Sequence, residues 1–177
     1  MFYLNSCIHF QKVEFLRVWL VEKLRGASPI RSAILNDELD AVGVSVMLLD
    51  AEMDHGPLLA QAAYTPDSWP IAGADLDQIL ATQGGQLLAE TIPAYLSGDI
   101  APQEQDHSAA TYCGKLTKAD SEIIFNPHTL PTGDTATKLW HKQCAFAGMG
   151  DVFFIYNDTR VKVTEATLTD DTYTDTD

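Results

Sequence analysis

The chain has 177 residues, 46% of them hydrophobic, and a formal net charge of −14 at pH 7. That length gives room for one domain, or for one domain and a fragment. No apolar run is long enough to span a membrane, and so acidic a balance counts against a DNA-binding protein and against strong tRNA binding. The 3 cysteines are widely spaced, so they predict neither a disulfide framework nor a zinc site and favour a reducing, cytoplasmic setting.

The first predicted elements are helices. Apolar residues recur at three- and four-residue spacing over 11–24, which indicates a helix. A second helix is predicted to start at Ser28, as the N-cap residue, with Pro29 at its first position, and to run to about Asn36.

Two apolar runs, 44–49 and 58–64, then predict a pair of strands. The loop between them, 50–57, carries three acids and a histidine beside a Gly-Pro pair. Loops held by rigid strands often carry binding and catalytic groups. A solvated connection, whose acids only keep it out of the core, fits the same composition.

The remaining pattern predicts a loop at 65–73 and a long helix at 75–96 that Pro93 bends or restarts. A further helix is predicted at 135–148 and a hairpin at 152–164 around Asn157-Asp158-Thr159. The buried stripe of the long helix is predicted to be Leu76, Ile79, Leu80, Leu87, Leu88, Ile92 and Leu96. Three histidines without ligand spacing are interpreted as surface residues: His107, His128 and His141.

Three stretches resemble the formyltransferase family, and within it the methionyl-tRNA formyltransferases. LRGASPIRSAIL at 24–35 is similar to the family's R-G-A-x-P-I-x-x-A-I, and GVSVMLLDAEMDHGPLLAQ at 43–61 to its G-V-[ST]-[IV]-M-x-M-D-x-G-[LM]-D-T-G. APQEQDHSAATYCGKLT at 101–117 follows its P-x-x-Q-x-x-x-x-A-T-Y-x-x-K-[IL]. The aspartate of the D-T-G turn is catalytic in the family, so the resemblance implies that Asp54 is catalytic here. His55 replaces the family threonine.

The resemblance implies an α/β fold made of the C-terminal half of a formyltransferase-type, Rossmann-like domain, followed by the start of an OB-like β domain. The expected boundaries place the half-domain at 23–118, a linker at 119–134, the OB-like start at 135–168 and a disordered Thr/Asp tail at 169–177. Residues 1–22 are unlike the family, so the chain is expected to be an N-terminally truncated fragment.

The activity implied is transfer of a formyl group from 10-formyltetrahydrofolate to the amino group of initiator methionyl-tRNA in translation initiation, without a metal. The family's N-x-H-x-S-L-L-P segment is not matched, because Phe15 and Arg17 fill the asparagine and histidine slots. Leu20 alone matches in the S-L-L-P slot and is a weak candidate for the folate contact.

An aspartate alone lacks the donors that stabilise a developing oxyanion, so we expect activity to be absent or very low. Two alternatives stay open: a non-catalytic scaffold fragment, and a formyltransferase for another amine such as a sugar nucleotide or glycinamide ribonucleotide. A metal pair of Asp54 and His55 is disfavoured because it offers too few ligands.

Overall fold

The computed structural model describes residues 23–52, 54–124 and 134–168. These residues form a mixed α/β arrangement, which confirms the predicted class. In chain order the elements are β1 (Arg25–Gly26), α1 (Pro29–Asn36), β2 (Gly43–Met47), β3 (Leu58–Ala63), α2 (Gly73–Ser97), β4 (Tyr112–Cys113), α3 (Asp134–Phe146), β5 (Val152–Tyr156) and β6 (Thr159–Val163). None of the helices in the described part of the chain combines the length and apolar character that crossing a bilayer requires.

The predicted strand–loop–strand is confirmed as the antiparallel pair β2–β3. Every residue of β2 is buried, because α2 packs on this pair, while β3 alternates between more and less exposed positions. The register shifts between Val46 and Met47, immediately before the loop that leads to β3. An irregularity of this kind bends a strand locally and re-aims the residues that follow it.

A short parallel pair, which the sequence did not predict, joins β1 to β4. Arg25 lies opposite Tyr112, and Gly26 lies opposite Cys113. The Arg25 N–H donates to the Thr111 carbonyl at 2.8 Å. This pair brings the Arg-Gly dipeptide next to a segment that is far away along the chain.

The C-terminal elements share the main hydrophobic core with the rest of the described residues. Helix α3 packs on α1, and Phe146 and Val152 are 2% exposed within that core. The Ile123 N–H donates to the Phe153 carbonyl at 2.7 Å, which ties the chain before α3 to β5. The hairpin β5–β6 is confirmed, with Asn157 and Asp158 at φ of 48° and 58° in its turn.

Several helix details differ from prediction. Residues 11–22 of the first predicted helix lie outside the described residues, and its predicted end at Leu24 is wrong, because that residue has a φ of 57°. Ser28 is the N-cap of α1, but its hydroxyl accepts from the Leu116 N–H at 3.1 Å instead of capping the helix. Helix α2 continues through Pro93 and ends at Gly98, whose φ is 82°.

Two predictions of exposure were wrong. Leu96 was placed in the buried stripe of α2 but is 76% exposed, because it lies in the last turn, beyond the strands on which the helix packs. His141 was placed on the surface but is 6% exposed. Its Nδ1 donates to the Ile34 carbonyl at 2.7 Å, which also accepts from the Asp37 N–H at the end of α1. His128 lies outside the described residues.

Candidate active site

The loop between β2 and β3 carries the candidate site. Its base is closed by the Leu48 N–H, which donates to the Pro57 carbonyl at 2.9 Å. Only glycine fits at position 56, because a Cβ there would lie 1.9 Å from the Leu48 carbonyl oxygen. The turn therefore brings the backbone of Gly56 against the end of β2 and fixes the residues just ahead of it, Asp54 and His55.

Asp54 is 3% exposed, with a φ of 62°, a left-handed conformation that aspartate adopts more readily than most residues. Its Oδ2 accepts a hydrogen bond from the Gly26 N–H at 2.9 Å. Gly26 has a φ of 121°, and a Cβ there would lie 2.3 Å from the Cys113 carbonyl oxygen. The Arg-Gly pair of β1 thus places a backbone donor against the carboxylate of Asp54.

Gln105 makes a second set of hydrogen bonds to the loop. Its Nε2 donates to the carbonyls of Asp54, at 3.2 Å, and of Gly56. Its Oε1 accepts from the Arg25 guanidinium at 2.6 Å. Because Gln105 is 6% exposed, these bonds satisfy groups that water cannot reach easily.

Arg25 is the most unusual residue of the cluster, because it carries a charge and yet is only 1% exposed. A buried charge is costly unless hydrogen bonds compensate for its lost hydration. Here Gln105 and His107 both accept from it, and both Arg25 NH groups lie 3.2 Å from the His107 Nδ1. Arg25 thereby joins β1 to the segment that holds the Asp54 loop.

A pair of stacked imidazoles completes the site. The rings of His55 and His107 are 3.6 Å apart between centroids, with 2° between their planes. The His55 Nδ1 lies 2.9 Å from the Asp50 Oδ2. The hydrogen bond from His55, followed by that from the Ala51 N–H, lowers the pKa of Asp50 below its usual range, so its carboxylate is ionised at neutral pH.

Asp54, which the sequence predicts to be catalytic, is thus held by hydrogen bonds to its carboxylate and to its backbone. Leu20, the predicted folate contact, and Phe15 and Arg17 lie outside the described residues. Within the part of the chain that the structure describes, no three histidine, cysteine, aspartate or glutamate side chains converge in a way that would hold a metal ion.

Sequence reasoning missed four members of this cluster as site residues: Arg25, Asp50, Gln105 and His107. Gln105 and Arg25 were noted only as matches to family patterns, and His107 was interpreted as a surface residue. His107 is indeed exposed, yet it contacts both Arg25 and His55. No local pattern links residues 25, 55 and 107, because the contacts between them arise only when β1 pairs with β4.

A second candidate region is a cavity of about 530 Å³ between the segment after β4 and the hairpin β5–β6. We call it the basic cavity, because Lys115, Lys118, Arg160 and Lys162 line it, against one acid, Asp151. Four of the 11 lysines and arginines of a strongly acidic chain therefore meet at one place.

Contacts within the basic cavity orient part of this charge. The guanidinium of Arg160 lies 3.8 Å from the centre of the Phe153 ring, a favourable cation–π arrangement. Lys162 forms an ion pair with Asp151, and this contact lowers the pKa of the Asp151 carboxyl. The two remaining lysines are exposed, so the cavity carries a local positive charge that can attract an anion.

The sequence of this chain is similar to those of several known proteins. It is 44% identical over 106 residues to a methionyl-tRNA formyltransferase from Roseiflexus sp. (strain RS-1), covering 59% of this chain and 31% of the relative. It is 37% identical over 138 residues to one from Helicobacter acinonychis (strain Sheeba), covering 78% of this chain and 41% of that protein. The chain is homologous to the methionyl-tRNA formyltransferases. This confirms the resemblance, although the chain spans well under half the length of these relatives, and no family profile matches it.

Solved structures support the fold independently. A 4-N formyltransferase from Francisella tularensis matches with a TM-score of 0.67 at 18% identity, covering 87% of this chain and 62% of that one. HypX from Aquifex aeolicus in complex with tetrahydrofolic acid matches with a TM-score of 0.65 at 16% identity, covering 82% and 24%. An N-formyltransferase from Helicobacter canadensis, solved with folinic acid and dTDP-3-aminofucose, gives 0.62 at 19%, covering 83% and 52%. The described elements therefore share the formyltransferase fold.

Proposed function

We propose that this chain acts in formyl transfer from 10-formyltetrahydrofolate to the amino group of initiator methionyl-tRNA. The observation that carries the proposal is Asp54, which occupies the family's catalytic position, is buried, and accepts from the Gly26 N–H. The homology to methionyl-tRNA formyltransferases supports this acceptor in particular, because likeness to the sugar-modifying enzymes extends to fold alone.

Formyl transfer to an amine requires that the amine lose a proton as its nitrogen bonds to the formyl carbon. A carboxylate fixed by hydrogen bonds, as Asp54 is, can orient a neighbouring acid–base group and help to carry that proton away. The Gly26 N–H holds the carboxylate of Asp54, and two bonds from Gln105 hold the backbone carbonyls of Asp54 and Gly56. A carboxylate fixed in this way loses little entropy when a substrate binds beside it.

We propose that turnover of this chain is at least about tenfold below that of an intact relative, because donors to the developing oxyanion are typically worth more than that. Phe15 and Arg17 fill the slots of the two residues that supply those donors in the family. The described part of the site offers a carboxylate, an imidazole and backbone groups. These fit the acceptor side of the reaction, while the one candidate for contact with the folate donor, Leu20, lies outside the described residues.

The basic cavity supports an acceptor that carries phosphate. Its four cations suit the backbone of a tRNA, and each phosphate that a cation neutralises adds a salt-dependent contribution to affinity. The same charge also suits the diphosphate of a sugar nucleotide, which keeps an amino sugar as the second candidate acceptor. The acidic remainder of the chain opposes both, so we expect this binding to be weak and sensitive to salt.

The domain division of the sequence analysis also remains a proposal: 23–118 for the half-domain, 119–134 for the linker, 135–168 for an OB-like start and 169–177 for the tail. The hairpin β5–β6 preceded by α3 supports an OB-like start.

A cytoplasmic location is also proposed, because Cys113 and Cys144 are free thiols.

The test is an assay with isotope-labelled 10-formyltetrahydrofolate and methionyl-tRNA, run beside an intact relative and beside the Asp54→Asn variant. We expect slow transfer that the variant lowers by about a further 100-fold. Turnover within about tenfold of the intact relative contradicts the proposed loss of activity. Turnover unchanged in Asp54→Asn contradicts the role of this aspartate. Label that appears only on an amino sugar nucleotide favours the second acceptor, and no label on any amine leaves a non-catalytic scaffold.

A further inference from the structure

His55 and Asp50 form a pair with the geometry of an acid–base group. The carboxylate of Asp50 can only accept, so the His55 Nδ1, 2.9 Å away, carries the proton of their hydrogen bond. That leaves the lone pair of the neutral ring on Nε2. The His55 side chain is 29% exposed, and no hydrogen bond among the described residues occupies its Nε2, so a substrate proton can reach this atom.

The second ring of the stack is held in the opposite way. An arginine can only donate, so the His107 Nδ1, 3.2 Å from both Arg25 NH groups, must accept, and the proton of His107 lies on Nε2. The stack therefore pairs a ring whose Nδ1 accepts from an arginine with a ring whose Nδ1 donates to a carboxylate.

These contacts fix His55 next to Asp54. The parallel ring of His107, with centroids 3.6 Å apart, sets the plane of the His55 imidazole, and Asp50 sets its rotation. Gln105 links the stack to the loop, because it accepts from Arg25 and donates to the Asp54 carbonyl. Hydrogen bonds of Gln105 and Arg25, together with the ring stack, thus connect the backbone of Asp54 to the imidazole of His55.

We propose that His55, oriented by Asp50, is the proton-transfer imidazole of this site and that its Nε2 takes the proton of the acceptor amine. This inference rests on the proposed function and adds a residue to it. The amine nitrogen bonds to the formyl carbon while its proton moves to Nε2. When the bond between the formyl carbon and the donor nitrogen breaks, its electron pair stays on that nitrogen, which takes the proton back from Nε2. The site is then restored, with no other reactant needed.

The first test determines which ring nitrogen of His55 carries the proton, and it does not require catalytic activity. Nitrogen chemical shifts of ¹⁵N-labelled histidine in the intact chain report which ring nitrogen carries the proton. We expect His55 to be the Nδ1–H tautomer and His107 the Nε2–H tautomer, and we expect Asp50→Ala to abolish the preference of His55. A His55 that carries its proton on Nε2 in the unaltered chain overturns the proposal.

The second test measures the rate of formyl transfer in variants of His55. We expect His55→Gln to lower kcat for formylation of methionyl-tRNA by about 100-fold with little change in KM, the usual size for loss of a general base. Free imidazole added to His55→Ala is expected to restore part of the rate, which a merely structural role would not allow. The matched control is His107→Gln, which removes the other ring of the stack and is expected to lower kcat less.

The outcomes separate this inference from the proposed function. Turnover that depends on Asp54 but is equal in the unaltered chain and in His55→Gln overturns the inference and leaves the function standing. An unaltered chain that formylates no amine overturns the function, and the proton-transfer role of His55 with it.

Discussion

The loop site around Asp54 and the basic cavity hold their charged groups in opposite ways. In the loop site Arg25, Asp54 and Gln105 are 1%, 3% and 6% exposed, and their hydrogen bonds run to one another and to backbone groups. In the basic cavity the cations are exposed, and their fixed contacts are one ring and one carboxylate.

Because of this difference, we expect the loop site to contribute to the stability of the fold and the basic cavity to contribute only to anion binding. A buried polar group that loses its partner keeps the full cost of desolvation, so changes in the loop site should lower both stability and activity. An exposed cation is already hydrated, so its removal should leave stability almost unchanged and weaken only the binding of an anion. Substitutions in each region therefore test whether stability and anion binding depend on different groups.

The largest expected effect is that of Gly56→Ala. The new Cβ would lie 1.9 Å from the Leu48 carbonyl oxygen, and because that atom belongs to the backbone, the loop itself must move. We expect a loss of about 3 kcal/mol in the free energy of unfolding, measured by urea denaturation. Gly85→Ala is the matched control, since a Cβ there meets nothing within 4 Å on helix α2. It should stabilise by about 0.5–1 kcal/mol, and an equal loss in both variants would contradict the packing of this turn.

The next effect is that of Gln105→Leu, which removes the donor to the carbonyls of Asp54 and Gly56 and an acceptor of Arg25. A loss of about 2 kcal/mol in unfolding free energy is expected. Gln103→Leu is the matched control, because Gln103 is exposed and pairs with Leu58 through backbone atoms. If the two variants lose the same stability, Gln105 does not hold the loop.

The elements that the sequence predicts are those that depend on local patterns. Strands β2 and β3, helix α3 and the hairpin β5–β6 follow from local periodicity and turn residues, and the structure confirms them. Asp54 was identified from its motif, and that motif lies within the described loop.

The contacts that build the loop site could not be predicted in this way. The pairing of β1 with β4 involves 2 residues on each strand, too few to leave a periodic pattern. The burial of Arg25 and His141 depends on distant partners, Gln105 and the Ile34 carbonyl, so local sequence carries no sign of it. Leu96 fits the helical stripe, but the helix extends beyond the strands that it covers.

A smaller effect is expected from Asp50→Asn, and it depends on pH. The hydrogen bond from His55 lowers the pKa of Asp50, so the folded state favours the ionised carboxylate. Its contribution to stability is present above the ordinary aspartate pKa of about 3.9 and is lost as the pH falls through the lowered pKa of the folded state. The variant should therefore be less stable than the unaltered chain at pH 7, and the difference should vanish in acid.

Urea denaturation across this pH range measures the effect. Glu52→Gln is the control, because it removes the same charge from the same exposed loop without breaking a described hydrogen bond. A stability difference for Asp50→Asn that persists at the lowest pH would show that the pair with His55 does not cause it.

The most direct test of the central claim compares the kinetics of the two regions in one assay. In formylation of methionyl-tRNA, Asp54→Asn should lower kcat by about 100-fold with KM little changed, because it alters the chemical step. The double variant Lys115→Ala/Lys118→Ala should raise KM and reduce its dependence on salt while leaving kcat unchanged, because it alters acceptor binding alone. A double variant that lowers kcat as much as Asp54→Asn, or an Asp54→Asn chain that changes only KM, would contradict the division between the loop site and the basic cavity.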